Sequence, residues 1–243
     1  MKNSSAIRAD AWKALGENGQ YLRYVSAYLL LMLVAVVVSI PLMGVLGVGI
    51  GVSGIAPFFA PGGQPEIGLF LDPAVMLPLL ASALVFSLLA IYPLGYVTWG
   101  NSAMAIAAMR RGLTVGHAFS GWGHGWKMGW IMAVKFTYIN LWALLLFVPG
   151  VIKTISYAMT DYIAVDHPDW SANQCITESR RLMDGNKLRY CCLLLSFFGW
   201  FILVAVASSI PLVGNFGQWF FMPYFESAKA AFYEDLLDND AEE

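Results

Sequence analysis

The distribution of charge is the feature that most restricts how this chain can fold. No lysine or arginine occurs between Arg23 and Arg110, and the stretches 24–65 and 73–109 contain no charged residue. Of the 243 residues, 58% are hydrophobic and 12% are charged. Soluble domains contain about 25% charged residues, so this chain has too few charges to cover a water-soluble surface. The composition excludes a cytosolic enzyme domain and a disordered tail, and it predicts a membrane protein.

The apolar stretches predict an all-α, polytopic transmembrane helical bundle of about six spans, with amphipathic helices at its cytoplasmic interface. A helix needs about 20 apolar residues to cross the hydrocarbon core of a bilayer. The second stretch is longer than that, so we expect its helix to continue beyond the membrane to Arg111. Pro149-Gly150 is typical of a turn and joins the third span to a short fourth span. The predicted spans cover about residues 25–48, 74–96, 126–148, 151–165, 188–210 and 218–237.

Basic residues predict the orientation of these spans. Eleven of the fourteen lysines and arginines fall before the first span, between the second and third, or between the fourth and fifth, counting Lys127 and Arg189 at the very start of the third and fifth spans. Short loops rich in lysine and arginine face the cytoplasm. Both termini are therefore predicted to be cytoplasmic. Lys153, just past the turn, is expected to reach the headgroups of the outer leaflet.

The chain is predicted to form one integral membrane domain over residues 1–243. Its parts are a cytoplasmic amphipathic segment (1–23), spans one to four (24–165), a cytoplasmic amphipathic helix (166–187), spans five and six (188–237) and an acidic tail (238–243). Ser171 is suited to begin the amphipathic helix and Gly185 to end it. Small and apolar residues form one face of this helix, namely Cys175, Ile176, Ser179, Leu182 and Met183. Four basic residues are candidate contacts to anionic lipid or to a partner: Arg180, Arg181, Lys187 and Arg189.

A weak internal repeat divides the chain into three units. Leu22-Arg23-Tyr24 enters the first span, and Leu188-Arg189-Tyr190 enters the fifth. Each tripeptide follows an amphipathic segment that ends in Asn and Gly, and the connector before the third span also ends in glycines. One interpretation is three units, each an interfacial helix followed by a transmembrane hairpin. The other is chance similarity, since only three residues are shared.

Several segments of the C-terminal half form a recognisable pattern. They are ESRRLMDGNK at 178–187, LSFFGW at 195–200, Pro223-Tyr224, AFYEDL at 231–236 and the segment from Tyr157 to Pro168. The pattern resembles the bacterial integral membrane family DUF975, a domain of unknown function, over residues 152–237 and more loosely over 6–24. The resemblance implies a multi-pass protein of the bacterial plasma (inner) membrane, and no catalytic or binding residue carries over from it.

Four charged residues within the predicted spans are candidate functional groups, because charge is costly in hydrocarbon. Glu226 and Lys229 are three residues apart in span six and can pair on one helix face. Lys135 and Asp161 lie at similar distances from the turn between spans three and four, so they can pair across that hairpin. For both pairs the alternatives are a proton- or ion-linked path and a structural ion pair. In the structural alternative for Glu226 and Lys229, the Lys229 side chain reaches towards the cytoplasmic interface.

No constellation of residues in the sequence indicates catalysis, a cofactor or a metal. The spacing of His117, His124 and His167 matches no common ligand pattern, and the glycines around His124 lack the Gly-Lys-Ser/Thr of a phosphate loop. The net charge of −2 does not favour nucleic acid. We therefore expect no cofactor, no metal and no nucleic acid. The expected partners are the lipid bilayer and either another membrane protein or a second copy of the chain.

Three functions follow from these features. The favoured hypothesis is a non-enzymatic membrane scaffold, accessory or lipid- or partner-binding protein. The alternative is a transporter or channel for a small solute or ion that uses the charges within the membrane. A lipid-modifying membrane enzyme is a weaker alternative.

Overall fold

The computed structural model of the chain describes residues 2–16, 19–53, 73–110, 112–145, 147–207 and 213–241. Every regular element in these ranges is a helix, so the prediction of an all-α fold is confirmed. The helices are α1 (Ser4–Gly16), α2 (Gln20–Ser53), α3 (Pro73–Met109), α4 (Gly116–Phe119), α5 (Gly125–Leu145), α6 (Phe147–Ser156), α7 (Thr160–Asp166), α8 (Ala172–Leu182), α9 (Lys187–Ser196), α10 (Phe198–Ala207) and α11 (Val213–Asp240). The sequence between the first two predicted spans is rich in Gly and Pro, and we expect it to form an outer loop; most of it lies outside the described residues.

Three stretches in the described part of the chain are long and apolar enough to cross a membrane. They are Gln20–Ile40 in α2, Met76–Met109 in α3, and Lys187–Ala207 in α9 and α10. These stretches correspond to the first, second and fifth predicted spans. A total of about six spans is not confirmed and stays a prediction.

The fourth predicted span is wrong as a single helix. Residues 151–165 are divided between α6 and α7, with a turn at 157–159 between them. Ten and seven helical residues extend about 15 and 10 Å, well short of the hydrocarbon thickness. The turn from α5 to α6 also differs from the prediction, because α6 has already begun at Phe147 and Pro149-Gly150 lies in its first turn. Proline is tolerated there, since the first N–H groups of a helix have no partner within it.

A hydroxyl group from α8 holds the turn between α6 and α7. Ser179 Oγ donates to the carbonyl of Ser156 at 2.9 Å and accepts the N–H of Met159 at 3.2 Å. The Ser179 side chain is fully buried. It therefore satisfies both a carbonyl and an amide that the helix break would leave without a partner.

The amphipathic helix predicted within residues 166–187 is present as α8, over the shorter range Ala172–Leu182. Ser171 caps it, since its side chain and that of Gln174 form a capping box. Gly185 lies in the turn after the helix with a φ of +72°, a left-handed value that favours glycine. The predicted apolar face is buried in full, namely Cys175, Ile176, Ser179, Leu182 and Met183. Burial raises the pKa of the Cys175 thiol.

The C-terminal part of α3 is the centre of the packed core. Residues 102–108 are all buried, and most of them are small. The helix continues to Met109, close to the predicted end of this extension at Arg111. The N-terminal part of α2 packs beside it, where the Tyr24 hydroxyl donates to the carbonyl of Asn101 at 3.2 Å. Small side chains on α3 let α2, α5, α7 and α11 all pack against it.

An arginine at the end of α3 joins three helices. Arg110 donates from Nη1 and Nη2 to the two carboxylate oxygens of Asp166 at the end of α7, at 3.0 and 2.8 Å. Its Nε donates to Glu234 of α11 at 2.9 Å. The Tyr233 hydroxyl donates to Asp166 at 3.1 Å. A carboxylate at a helix C-terminus is unfavourable beside the helix dipole, and the bidentate guanidinium compensates that charge.

The internal repeat has a counterpart in the backbone. Gly19 and Gly185 have φ values of +68° and +72°, and each lies three residues before the Leu-Arg-Tyr tripeptide. In both copies the leucine is exposed and the tyrosine is buried. Trp126-Lys127-Met128 stands three residues after Gly123, again with an exposed first and a buried third side chain. The positive φ is shared by Gly19 and Gly185 but not by Gly123, so the backbone supports the similarity of two units, and three related units stay a prediction.

Replacing Ser179 by alanine tests the support of the α6–α7 turn. Ser179→Ala leaves a buried carbonyl and a buried amide unsatisfied, so we expect a loss of about 1–3 kcal/mol in the free energy of unfolding. Denaturant unfolding in detergent measures it. The matched control is Ser26→Ala, since the exposed Ser26 hydroxyl bonds only within its own helix, and we expect a change within about 0.5 kcal/mol. Equal losses in the two variants would contradict the bridging role.

Candidate functional site

The predicted Lys135 and Asp161 pair lies between α5 and α7. Lys135 Nζ donates to the two carboxylate oxygens of Asp161 at 2.6 and 2.8 Å. The two side chains are 17% and 20% exposed. Both α6 and α7 pack against α5, and the turn between them leaves Asp161 beside Lys135. The close approach of α5 and α6 depends on Gly150, where a Cβ would lie 2.8 Å from the Cα of Ala143. The numbers of residues that separate Lys135 and Asp161 from the Pro149-Gly150 turn were sufficient to predict the pair.

The predicted Glu226 and Lys229 pair forms on one face of α11. Lys229 Nζ lies 2.8 Å from Glu226 Oε1. The Tyr162 hydroxyl donates to the other carboxylate oxygen of Glu226 at 2.8 Å. The Lys229 ammonium also lies 5.0 Å from the centroid of the Phe225 ring, within the range of a cation–π contact. Both oxygens of this carboxylate therefore have a polar partner.

The two ion pairs meet at one cavity. This cavity has a volume of about 250 Å³, and its polar lining includes Lys135, Asp161, Tyr190 and Lys229. The structure therefore brings together candidate residues from three helices that are far apart in the sequence. Two ammonium groups and two carboxylates make the cluster neutral as a whole. Such a site offers no net charge to attract an ion, although it can hold water between its polar groups.

Along α11, the Glu226 and Lys229 pair lies between a charged layer and an aromatic layer. In α9 and α11, Arg189 donates to Asp235 at 2.6 Å. Nearer the start of α11, the rings of Phe201 in α10 and Phe221 in α11 are 5.2 Å apart. Glu226 is nine residues before Asp235, about 13 Å along α11. Glu226 is five residues after Phe221, about 8 Å along α11, so it lies between the two layers and nearer the aromatic one.

The four predicted basic residues have different environments. Arg181 donates to both oxygens of Asp240, at 2.6 and 2.7 Å, and also to Glu178. Arg189 donates to Asp235 and to Asn186. The bonds of these two arginines are therefore made within the fold.

The contribution of the Arg181–Asp240 ion pair to the stability of the fold depends on pH. The guanidinium lowers the pKa of the Asp240 carboxyl below its ordinary value by hydrogen bonding. A carboxyl with a lowered pKa in the folded state contributes stability above its unfolded pKa and loses it as the pH falls. Both side chains are exposed, so the contribution is small.

The other two basic residues are less fully compensated. Lys187 lies 3.3 Å from the carboxylate of Asp184, which is 83% exposed. Arg180 is exposed and has no carboxylate partner within the described ranges. These two residues remain available to bind a group outside the chain.

Lys153 lies beside these basic residues. It lines one cavity with Arg180, and a second with Arg180, Arg181 and Lys187. Two side chains that line one cavity cannot face opposite sides of a membrane. The prediction that Lys153 reaches the outer headgroups while Arg180 is cytoplasmic is therefore wrong. The cause is the break between α6 and α7, which leaves α6 packed against α9 and brings Lys153 beside Arg180 of α8.

The histidines occupy separate positions. His124 stacks on Trp99 with ring centroids 4.2 Å apart, and His167 stacks on Trp170 at 4.1 Å. His117 contacts the Thr114 hydroxyl through Nδ1 at 2.9 Å. Within the described ranges, no group of three or more His, Cys, Asp or Glu side chains is placed to hold a metal ion.

The sequence analysis missed one charged cluster of the fold. Arg110 was counted only for orientation, and Asp166 and Glu234 were not singled out. Their contact is made over separations of 56 and 124 residues. The available signal was the position of each charge at or near the end of a predicted span or of its helical extension.

The architecture defines an all-helical protein with three helical stretches that are long and apolar enough to cross a membrane. Residues 124–240 match the family model DUF975, described as a protein of unknown function. The match begins just before α5 and ends with α11, so it contains both ion pairs and the four basic residues of α8 and α9. The resemblance found in the sequence over residues 152–237 is confirmed, whereas the looser one over 6–24 lies outside the match. No curated protein and no solved structure matches the chain.

A double-mutant cycle tests the coupling of the buried pair. We expect Lys135→Met or Asp161→Asn alone to destabilise the fold, because each leaves a largely buried charge without its partner. The double variant restores neutrality, so the coupling energy is expected to be about 0.5–3 kcal/mol. The free energy of unfolding in detergent measures it.

The control cycle uses the exposed pair of Lys2 and Asp10, whose side chains are 51% and 42% exposed. We expect a coupling energy below about 1 kcal/mol for that pair. A coupling no larger for Lys135 and Asp161 would show that the interior pair contributes no more than a surface pair.

Proposed function

We propose that this chain is a multi-pass protein of the bacterial plasma membrane that acts without catalysis, as a scaffold or accessory protein that binds lipid or a membrane partner. The distribution of basic residues supports a cytoplasmic location for both termini.

The division of the molecule into two kinds of surface carries this proposal. On α2, α3 and α10, large apolar side chains are exposed along the helices, among them Leu33, Val36, Ile40, Leu77, Leu80, Leu84, Ile202, Leu203 and Val206. Contiguous apolar surface of this extent mismatches water and matches hydrocarbon. Next to it, α1, α7, α8 and the ends of α3 and α11 form a packed core crossed by ion pairs. A packed and charged region next to apolar surface is suited to bind lipid headgroups or a partner at the membrane surface.

The charged cluster favours a structural role over transport. Each of its four charged groups already has a partner within 2.8 Å. An ion entering the cavity would have to displace one of these partners and leave the other buried and unpaired, which is costly. The pairing therefore supports a scaffold whose interior charges fix the packing of α5, α7 and α11.

A small-solute or ion transporter is the second candidate, supported by the same cavity. Three charged residues from three helices converge on about 250 Å³ of space, and charged groups in a membrane protein often mark ion or proton paths. A flux measurement separates the two candidates. Purified protein in liposomes is tested with dyes for protons and for potassium, under imposed pH and potassium gradients.

We expect flux no higher than that of protein-free liposomes for the wild type and for Glu226→Gln. A gradient-dependent flux in the wild type that is lost in Glu226→Gln would overturn the scaffold proposal in favour of transport. The substitution keeps the shape of the side chain and removes its charge, so a folded variant reports on the charge alone.

Cysteine labelling tests the topology. In a background without the three native cysteines, a membrane-impermeant maleimide is applied to intact and to permeabilised cells. We expect Gln64→Cys to label in intact cells, and Lys153→Cys and Arg180→Cys to label only after permeabilisation. Labelling of Lys153→Cys in intact cells would contradict the placement of α6 on the cytoplasmic side, and labelling of Arg180→Cys there would reverse the proposed orientation.

A further inference from the structure

A basic cleft lies between α6 and α8, and we define it by Lys153, Thr177, Arg180 and Lys187. It consists of two adjoining cavities of about 300 and 460 Å³. Lys153, Thr177 and Arg180 line both cavities. The combined space is large enough for a small charged group with its first water molecules.

The positive charge of this cleft is not compensated within the fold. Arg181 at its edge is paired with Glu178 and Asp240, which lie outside the lining. Within the described ranges, neither Lys153 nor Arg180 has a carboxylate partner. The only carboxylate in the lining is that of Asp184, which is exposed and bound loosely to Lys187.

Two elements distant in the sequence hold these like charges together. Lys153 is fixed by α6, where its ammonium lies 4.6 Å from the centroid of the Trp142 ring. Arg180 is fixed by α8, whose rotation is set by the buried contact of Ser179 with the α6–α7 turn. Like charges repel, and holding them near each other costs stability unless a bound anion balances them. The Thr177 hydroxyl adds a donor for such an anion.

The neighbouring surface indicates where the anion comes from. The tip of the α5–α6 hairpin exposes large apolar side chains beside the cleft, among them Leu144, Val148, Val151 and Ile152. A phosphate held between an arginine and a lysine, next to exposed apolar surface, matches a phospholipid at the edge of a bilayer. A soluble phosphate would use the cleft but not the apolar tip.

We propose that the basic cleft binds the phosphate of an anionic phospholipid headgroup between Lys153 and Arg180, with Lys187 at the rim. This assignment rests on the proposed function as a lipid-binding membrane protein. It gives that function a defined ligand class and a defined site.

The test measures the ligand-dependent rise in Tm of the full chain in detergent, and the apparent affinity from its concentration dependence. The probes are phosphatidylglycerol, phosphatidylcholine and inorganic phosphate. We expect phosphatidylglycerol to stabilise the wild type and phosphatidylcholine to have little effect. In Lys153→Gln/Arg180→Gln, the affinity for phosphatidylglycerol is expected to fall about ten- to thirty-fold.

Two further variants serve as controls. Lys13→Gln/Arg23→Gln removes the same charge from exposed positions on α1 and α2, and we expect it to retain the wild-type affinity. Lys153→Arg/Arg180→Lys keeps both charges and is expected to retain most of the binding. Without lipid, Lys153→Gln/Arg180→Gln is expected to be at least as stable as the wild type, because it removes repulsion and breaks no ion pair.

Three outcomes would overturn the assignment. They are equal stabilisation by phosphatidylglycerol and phosphatidylcholine, equal loss of affinity in the Lys13/Arg23 control, and stabilisation by inorganic phosphate alone without any effect of phosphatidylglycerol. Failure of the proposed function is a separate result. In that case the wild type would not remain with vesicles of phosphatidylcholine and phosphatidylglycerol on flotation, whereas a protein that floats but shows no lipid preference contradicts only the cleft.

Discussion

The guanidinium of Arg110 is the interaction on which the packed part of the molecule depends. One planar group binds Asp166 through two hydrogen bonds and Glu234 through a third, so it joins the ends of α3 and α7 to α11. A lysine has no equivalent geometry, because its ammonium cannot present two parallel donors to one carboxylate and a third to another. The ion pairs deeper in the molecule form between helices whose positions this contact helps to fix.

Local patterns predicted the parts of the fold that depend on nearby residues. The cap at Ser171, the turn glycine at Gly185 and the buried face of α8 all follow from short-range helix periodicity and capping. The pairing of Lys135 with Asp161 was also predicted from their similar distances to the Pro149-Gly150 turn, and it forms although Asp161 lies beyond the break between α6 and α7. The all-α class follows from composition alone.

The errors came from contacts between distant residues. Residues 151–165 are apolar enough to read as one short span, and nothing inside them marks the turn at 157–159. The turn depends on Ser179, about twenty residues further along, whose hydroxyl supplies the missing partners. Once α6 and α7 are separated, Lys153 comes beside Arg180 rather than across the membrane from it. The cluster around Arg110 escaped prediction for the same reason, since no periodicity links residues 110, 166 and 234.

The contact of Ser179 also constrains which side chains evolution can place there. Alanine lacks both the donor and the acceptor, threonine would add a methyl group to a fully buried position, and cysteine would donate and accept only weakly. The hydrogen bonds of the same hydroxyl also fix the rotation of α8 about its own axis. A helix turned by one residue, about 100°, would lose the bridge and move Arg180 away from Lys153. Ser179 therefore fixes both the turn between α6 and α7 and the direction of Arg180 on α8, so a substitution of this one residue would change both.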